Sequence, residues 1–416
     1  MNDLFEIAFP AVEGTAEFNR LTLRYASESP VQCFVTYVCG GAEATDDFYL
    51  EAGDNTFSGV IGAYLTGCTG SDVRRISVRV LDGKSCTFVL HGIMTERIEV
   101  FDSDTCYIEN DRYRVGVRLI WGGGINCVID KQCPVEGLTN LINQHDTGRL
   151  IQQSYYGTNG NDEYTAGTFM DHRWCYNPVQ GGDRGNCHSR LIDVVRGDRS
   201  VYVKSQPMDW GNVGFMTPSY MENTYTLDAD CIRVDNRFVD FSGWEHPCRA
   251  QEVPAFYTVS YLDAFTWYDG VNSWQNEPLS VRDDLEFWGL AEHVEDCTMK
   301  IREHSKETWC AWVSSADDYG IGLFVPGVDL LRAGRFCYNG SKNSAENPTN
   351  YVAPFMWLQI VSYRPIRYSY LLAAGHTAEI REKFRQNREF TDNASLRTGK
   401  NMRIPDDAPK YKTNRS

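Results

Sequence analysis

Short stretches of alternating or β-branched residues recur along almost the whole chain, separated by clusters of Gly, Asp, Asn and Ser. A period of two with little 3.6-residue periodicity restricts such a chain to stacked antiparallel sheets. In residues 1–104 the β segments fall at 18–25, 31–38, 77–81 and 85–90, with turn clusters at 39–42 and 51–55. That spacing predicts an N-terminal β-sandwich of jelly-roll type, with a boundary at 102–104. The texture continues over 105–390, with segments at 112–121, 200–204, 224–227, 231–238 and 356–363. A single core stops growing at roughly 250–300 residues, so 416 residues call for a second, larger sandwich. The whole is expected to be mostly β. Helical spacing is confined to 373–387 and, more weakly, 134–143, and residues 391–416 read as a polar tail.

Charge and composition narrow the partners. The net charge is −16 and the isoelectric point about 5.0, which argues against nucleic acid and anionic membrane surfaces. No basic, apolar leader opens the chain and no apolar run reaches the ~18 residues of a membrane span. The fourteen cysteines contain no C-x-x-C pair, so reduced thiols in a cytoplasmic protein are expected. Aromatic residues make up 13%, with 23 Tyr and 10 Trp, which suits strands and also suits flat rings packing on sugars.

Three stretches concentrate chemistry. In 121–157, three glycines (Gly122 to Gly124) precede His145, Asp146 and Arg149, then Gln153, Tyr155 and Tyr156. This is more hydrogen-bonding capacity than a structural strand needs, although an Asp146–Arg149 ion pair within a turn would also explain the pattern. In 170–190, Asp171, His172, Trp174, Asn177, Gln180 and Asp183 crowd a loop-like segment, where binding and catalytic groups tend to sit. Its histidines lack metal-ligand spacing, so neither a metal nor another cofactor is expected. In 244–257, Glu252 stands before the apolar run Val253–Tyr257, with Arg249 close by. Burial would raise its pKa and suit it to general-acid work, while an ion pair with Arg249 is the structural alternative. Trp309, Trp312, Asp317 and Asp318 read as core or as the wall of a cleft. P-loop, Rossmann, nucleophile-elbow and HExxH motifs are absent, which disfavours nucleotide, nicotinamide and α/β-hydrolase chemistry.

The runs RVGVRLIWGGGINCVIDK, NLINQHDTGRLIQQSYYG, WCYNPVQGGD and RAQEVPAFYT together resemble bacterial carbohydrate-active proteins with a galactose-mutarotase-like β-supersandwich. That superfamily includes aldose epimerases and domains of glycoside hydrolases and polysaccharide lyases. The resemblance spans about 107–380. It implies a sugar cleft reached from the Gly-rich turn, with His172 and Glu252 in a histidine role and a base role; no second histidine aligns.

The function these residues suggest is cleavage of a glycosidic bond by paired carboxyls, Glu252 as acid with Asp146 or Asp171 as partner. Arg149, Gln153, Asn177 and Gln180 would hold hydroxyls, joined by His145, Asp183 and Arg249. Tyr155, Tyr156 and Trp174 would stack on the ring. A lyase or epimerase using His172 and a tyrosine, or a non-catalytic sugar binder, are the alternatives. The partner is an oligosaccharide or glycoside, and the N-terminal sandwich offers a surface for self-association.

Overall fold

The computed structural model describes residues 4–9, 11–14, 17–62, 67–101, 103–287 and 293–396. Residue 102, within the expected boundary, and residues 397–416 of the expected tail lie outside them.

Two four-stranded sheets form the N-terminal part. One is ordered Phe5–Ile7, Gly70–Val80, Val31–Cys39, Ala42–Leu50; the other is Glu13–Gly14, Phe88–Glu96, Arg20–Ser27, Gly53–Val60. Alternate residues such as Leu21 and Leu23, Cys33 and Val35, and Phe48 and Leu50 face inward and are buried. This core runs on into Ile192, Tyr220, Val239 and Phe241 of the following part. Ion pairs cross the same junction, with Arg237 on Glu51 at 2.5 Å and Arg20 on Asp193 at 2.8 Å.

After Glu96 the next strand, Thr105–Glu109, already belongs to a second and larger pair of sheets. A ten-stranded sheet carries, in its centre, Thr349–Val361, Glu245–Val259, Ile151–Ser154 and Gly124–Asp130 side by side. A nine-stranded sheet packs on it, with Ser219–Leu227, Ile232–Asp240 and Ile366–His376 in its middle. The chain is therefore mostly β, a smaller sandwich followed by a larger one, as the strand pattern predicts.

The parity of the central strands decides what faces where. Val253, Phe256 and Val352 point into the core between the large sheets. Tyr155 points the same way and stacks on Phe238 of the other sheet at 4.1 Å. Tyr351, Ala353 and Phe355, of the opposite parity to Val352, make a separate cluster on the outer face of the ten-stranded sheet, and a register shift between Glu252 and Phe256 brings Ala255 to it.

Two helix expectations are corrected. The helix is Thr377–Gln386, while Ala373 and Ala374 belong to the strand before it. Ala373 pairs with Gly322, and Ile380 of the helix packs so closely over that glycine that a Cβ there would lie 2.5 Å from it. Small residues at 373–375 thus serve the strand beneath the helix. Residues 134–143 form no helix. Asn140 Oδ1 accepts from Val128 N and Ile142 N, and its Nδ2 donates to Asn126 O, so side-chain bonds hold this segment along the strand Gly124–Asp130. Trp309 and Trp312 are fully buried core residues and not cleft walls.

Candidate functional site

A cavity of about 330 Å³ opens on the outer face of the ten-stranded sheet. This lies at the small end of the roughly 300–1,000 Å³ usual for ligand pockets. Its floor is built by two neighbouring strands, one alternating regularly and the other carrying a register shift between Glu252 and Phe256. Gln152, Ser154 and Tyr156 line it from one strand and the strand's continuation, and Glu252, Ala255 and Tyr257 from the neighbouring one. Ser154 and Glu252 are register partners across these strands, which places a hydroxyl beside the carboxyl by backbone geometry alone.

Glu252 is 5% exposed. Burial pushes its carboxyl above the ordinary carboxylate range, while hydrogen bonds from Tyr351, Ser154 and Tyr156 and the charge of Arg332 pull it back. The net effect is upward, so the group keeps its proton to higher pH than an exposed glutamate. The converse holds for the two tyrosines: burial and the Glu252 charge hold the Tyr351 and Tyr156 phenols well above their usual range.

The second carboxyl of the cavity is Asp146. Its Oδ1 accepts from Gly148 N at 3.0 Å, and its Oδ2 lies 3.4 Å from Arg149 Nε. Arg149 also donates to Asn347 O and sits over the Phe336 ring, 5.2 Å from its centroid. The expected ion-paired turn is therefore real, and it also lines the cavity. Tyr257 senses both sites: burial raises its hydroxyl first, the Glu252 and Asp146 charges raise it further, and Arg149 opposes them. Both carboxyls thus lie within electrostatic reach of one phenol.

Aromatic rings supply most of the remaining wall. Trp174 meets Tyr156 edge-on at 6.3 Å and Phe169 at 5.1 Å, and Phe169 meets Trp210 at 5.8 Å. Phe287 packs on Phe336 at 5.8 Å. The Trp174 side is anchored by Asp209, whose Oδ2 accepts from Tyr164 Oη at 2.8 Å and Asn177 N at 3.2 Å. Its Oδ1 accepts from Gly211 N and Asn212 N, each at 3.1 Å. Asn177 in turn accepts from Trp174 Nε1 at 2.9 Å.

Of the residues singled out from sequence, Glu252, Asp146, Arg149, Tyr156, Trp174 and Asn177 come together in this cavity. The others are placed elsewhere. Gln153 and Gln180 are buried between the large sheets, where both donate to Asn223 Oδ1, and Tyr155 donates to Gln153 there. Asp183 is buried, braces its own loop by accepting from Gly185 and Cys187 N–H groups, and ties it to a second loop by accepting from Gly214 N. Arg249 donates to Asn159, and exposed His145 bonds Ala345 O through Nδ1. Asp171 and His172 are exposed on a hairpin, Thr168–Phe169 with His172–Arg173, whose turn residues Met170 and Asp171 have φ of 49° and 62°. The glycines at 122–124 are packing positions: a Cβ on Gly122 would lie 2.1 Å from Gln180 O. Sequence reasoning missed Trp210, Tyr257, Phe287, Phe336 and Tyr351. Tyr351 opposes Tyr257 across the paired strands, and a register shift between Glu252 and Phe256 is what brings Tyr257 to the face of Glu252, so alternation in the sequence does not announce it. Among the described residues no cluster of three or more His, Cys, Asp or Glu could hold a metal, and no helix is long and apolar enough to cross a membrane.

No protein-family model matches the chain, and no curated protein matches it. Solved structures similar to it include a galactose mutarotase-like protein from Lactobacillus casei, 12% identical over 65% of this chain and 100% of that one, TM-score 0.37. A galactose mutarotase related enzyme from Lactobacillus acidophilus is 11% identical over 66% and 98%, TM-score 0.38. An alpha-mannosidase from Enterococcus faecalis is 9% identical over 89% of this chain and 39% of that one, TM-score 0.38. At such identities and scores the likeness carries no weight for substrate or reaction.

Proposed function

We propose that the cavity is the active site of a carbohydrate-active enzyme that cleaves a glycosidic bond with Glu252 as the proton donor. The observation that carries this reading is a carboxyl buried in the same aromatic-lined cavity as the ion-paired Asp146, where desolvation pushes it above the ordinary carboxylate range. General acids near neutral pH are made by such burial. In the proposed step the bond between the anomeric carbon and the leaving oxygen breaks, and the Glu252 proton passes to that oxygen. Water adds to the anomeric carbon and gives its proton to Asp146. Tyr351, Ser154 and Tyr156 then stabilise the Glu252 carboxylate left behind. Arg149 keeps Asp146 in place.

The size of the cavity favours a second reading. Space for about one ring also suits interconversion of the anomers of a free aldose, which needs the same acid and base and no leaving group. The variant of that chemistry that relies on a histidine has less support, because His172 stands outside the cavity. A panel of aryl glycosides and free aldoses separates the readings. Gain of one water by the products supports cleavage. Faster exchange between anomers, read by NMR, supports interconversion. Neither change in any member of the panel refutes both.

A further inference from the structure

The polar groups of the cavity wall are mostly committed to the protein. Gln152 donates to the carbonyls of Thr147 and Gly148 and accepts from Gly181 N. Asn177 donates to Ser154 Oγ and Tyr155 O and accepts from Trp174 Nε1. Thr349 Oγ1 donates to Thr258 O. Their bonding capacity toward a ligand is therefore small. The Asp146–Arg149 pair, Glu252 with its ring of hydroxyls, the Tyr257 hydroxyl and the Trp210 indole N–H are what remains. A fully hydroxylated sugar ring carries a hydroxyl on nearly every carbon, and each one buried without a partner costs about 1–3 kcal/mol. Against this, the wall is rich in carbon: Phe169, Trp174 and Trp210 in one aromatic group, Phe287 and Phe336 in another. The side chains of Asp146 and Arg149 keep 24% and 16% of their surface exposed, whereas Glu252 is buried. The polar pair thus belongs to the mouth and the acid to the floor.

We infer that the cavity takes the apolar, ring-bearing aglycone of a glycoside, while the sugar meets the protein at the mouth beside Asp146 and Arg149. This rests on the reading of the cavity as a glycoside site. It assigns specificity to the leaving group more than to the sugar.

The test is binding to the full chain, read by tryptophan fluorescence (Trp174 and Trp210 line the cavity) and by calorimetry. The probes are phenol, the phenyl glycosides of glucose, galactose and mannose, and the three free hexoses. The expected result is that phenol and at least one phenyl glycoside bind, and that every free hexose binds at least tenfold more weakly than that glycoside. Phe336→Ala weakens the phenyl glycoside about tenfold, and Phe336→Leu restores most of the binding. Free hexoses binding as well as their phenyl glycosides would overturn the inference, as would silence from phenol and all the phenyl glycosides. Phenyl-group binding without any cleavage would leave the inference standing and sink the proposed reaction. Tight hexose binding with anomer exchange would overturn the inference and leave the cavity as the active site.

Discussion

Replacing Tyr351 by Phe removes one hydroxyl from the Glu252 carboxyl and leaves the ring in place among Tyr257 and Phe287. A hydrogen bond to a charged group contributes about 1.5–3 kcal/mol, whereas one to a neutral group contributes about 0.5–1.5. The difference, about 1–2 kcal/mol, falls on the ionised form alone and corresponds to roughly one further pKa unit upward for Glu252. The sign follows from proton binding. With its folded pKa raised above the unfolded value, Glu252 binds more protons in the native state between those two values. Its contribution to stability is therefore fully present below the ordinary carboxylate range and is lost as pH rises through the folded pKa. Tyr351→Phe widens that window. Denaturant titrations at a series of pH values, on wild type, Tyr351→Phe, Glu252→Gln and the double variant, read the effect. The expected outcome is that Tyr351→Phe costs about 1–2 kcal/mol more above the Glu252 pKa than at acid pH, and that this extra loss vanishes in the Glu252→Gln background. An identical pH profile in all four proteins would refute the reasoning.

Other outcomes follow from the same structure. Asp209→Ala removes the acceptor of four hydrogen bonds behind Trp174 and Trp210, and should destabilise the fold by at least about 3 kcal/mol in denaturant titration. Arg381→Ala leaves Glu307 buried without the guanidinium that contacts it at 2.7 Å; a loss of about 3–5 kcal/mol is expected, against a much smaller one for a surface pair such as Arg385–Glu382. Cys39 and Cys68 place their sulfurs 3.0 Å apart, and oxidised glutathione should link them with loss of two hydrogens by mass. The Cys39 thiol beside it pushes Cys68 up to about 11, so this reaction should quicken as pH rises, and Cys68→Ser should abolish it.

Much of the architecture was legible because strands announce themselves by period. The smaller sandwich, the larger one and the helix near the C-terminus all carry local signals. What the pattern hid was which face of the central strands a side chain takes. Gln153 and Tyr155 look as functional as Ser154 and Tyr156, yet the first two are buried between sheets and the second two line the cavity. A one-residue change of register would have exchanged them. Glu252 was legible from the apolar run that follows it, since such a run implies burial. Tyr351, about a hundred positions away, becomes its partner only through the pairing of Glu245–Val259 with Thr349–Val361. The hairpin bearing Asp171 and His172 shows the opposite failure: a polar, charged segment reads as chemistry, but its exposure and tight turn are met by the ordinary behaviour of a surface loop.

The most direct test of the central claim is the turnover of phenyl glycosides by Glu252→Gln, with binding of the same glycosides measured in parallel. Loss of the proton donor should lower the rate by about 10²–10⁴-fold while binding changes by only a few-fold, and the limb of the wild-type rate profile that falls with rising pH should disappear. Near-full turnover in Glu252→Gln, with the pH profile unchanged, would contradict the account.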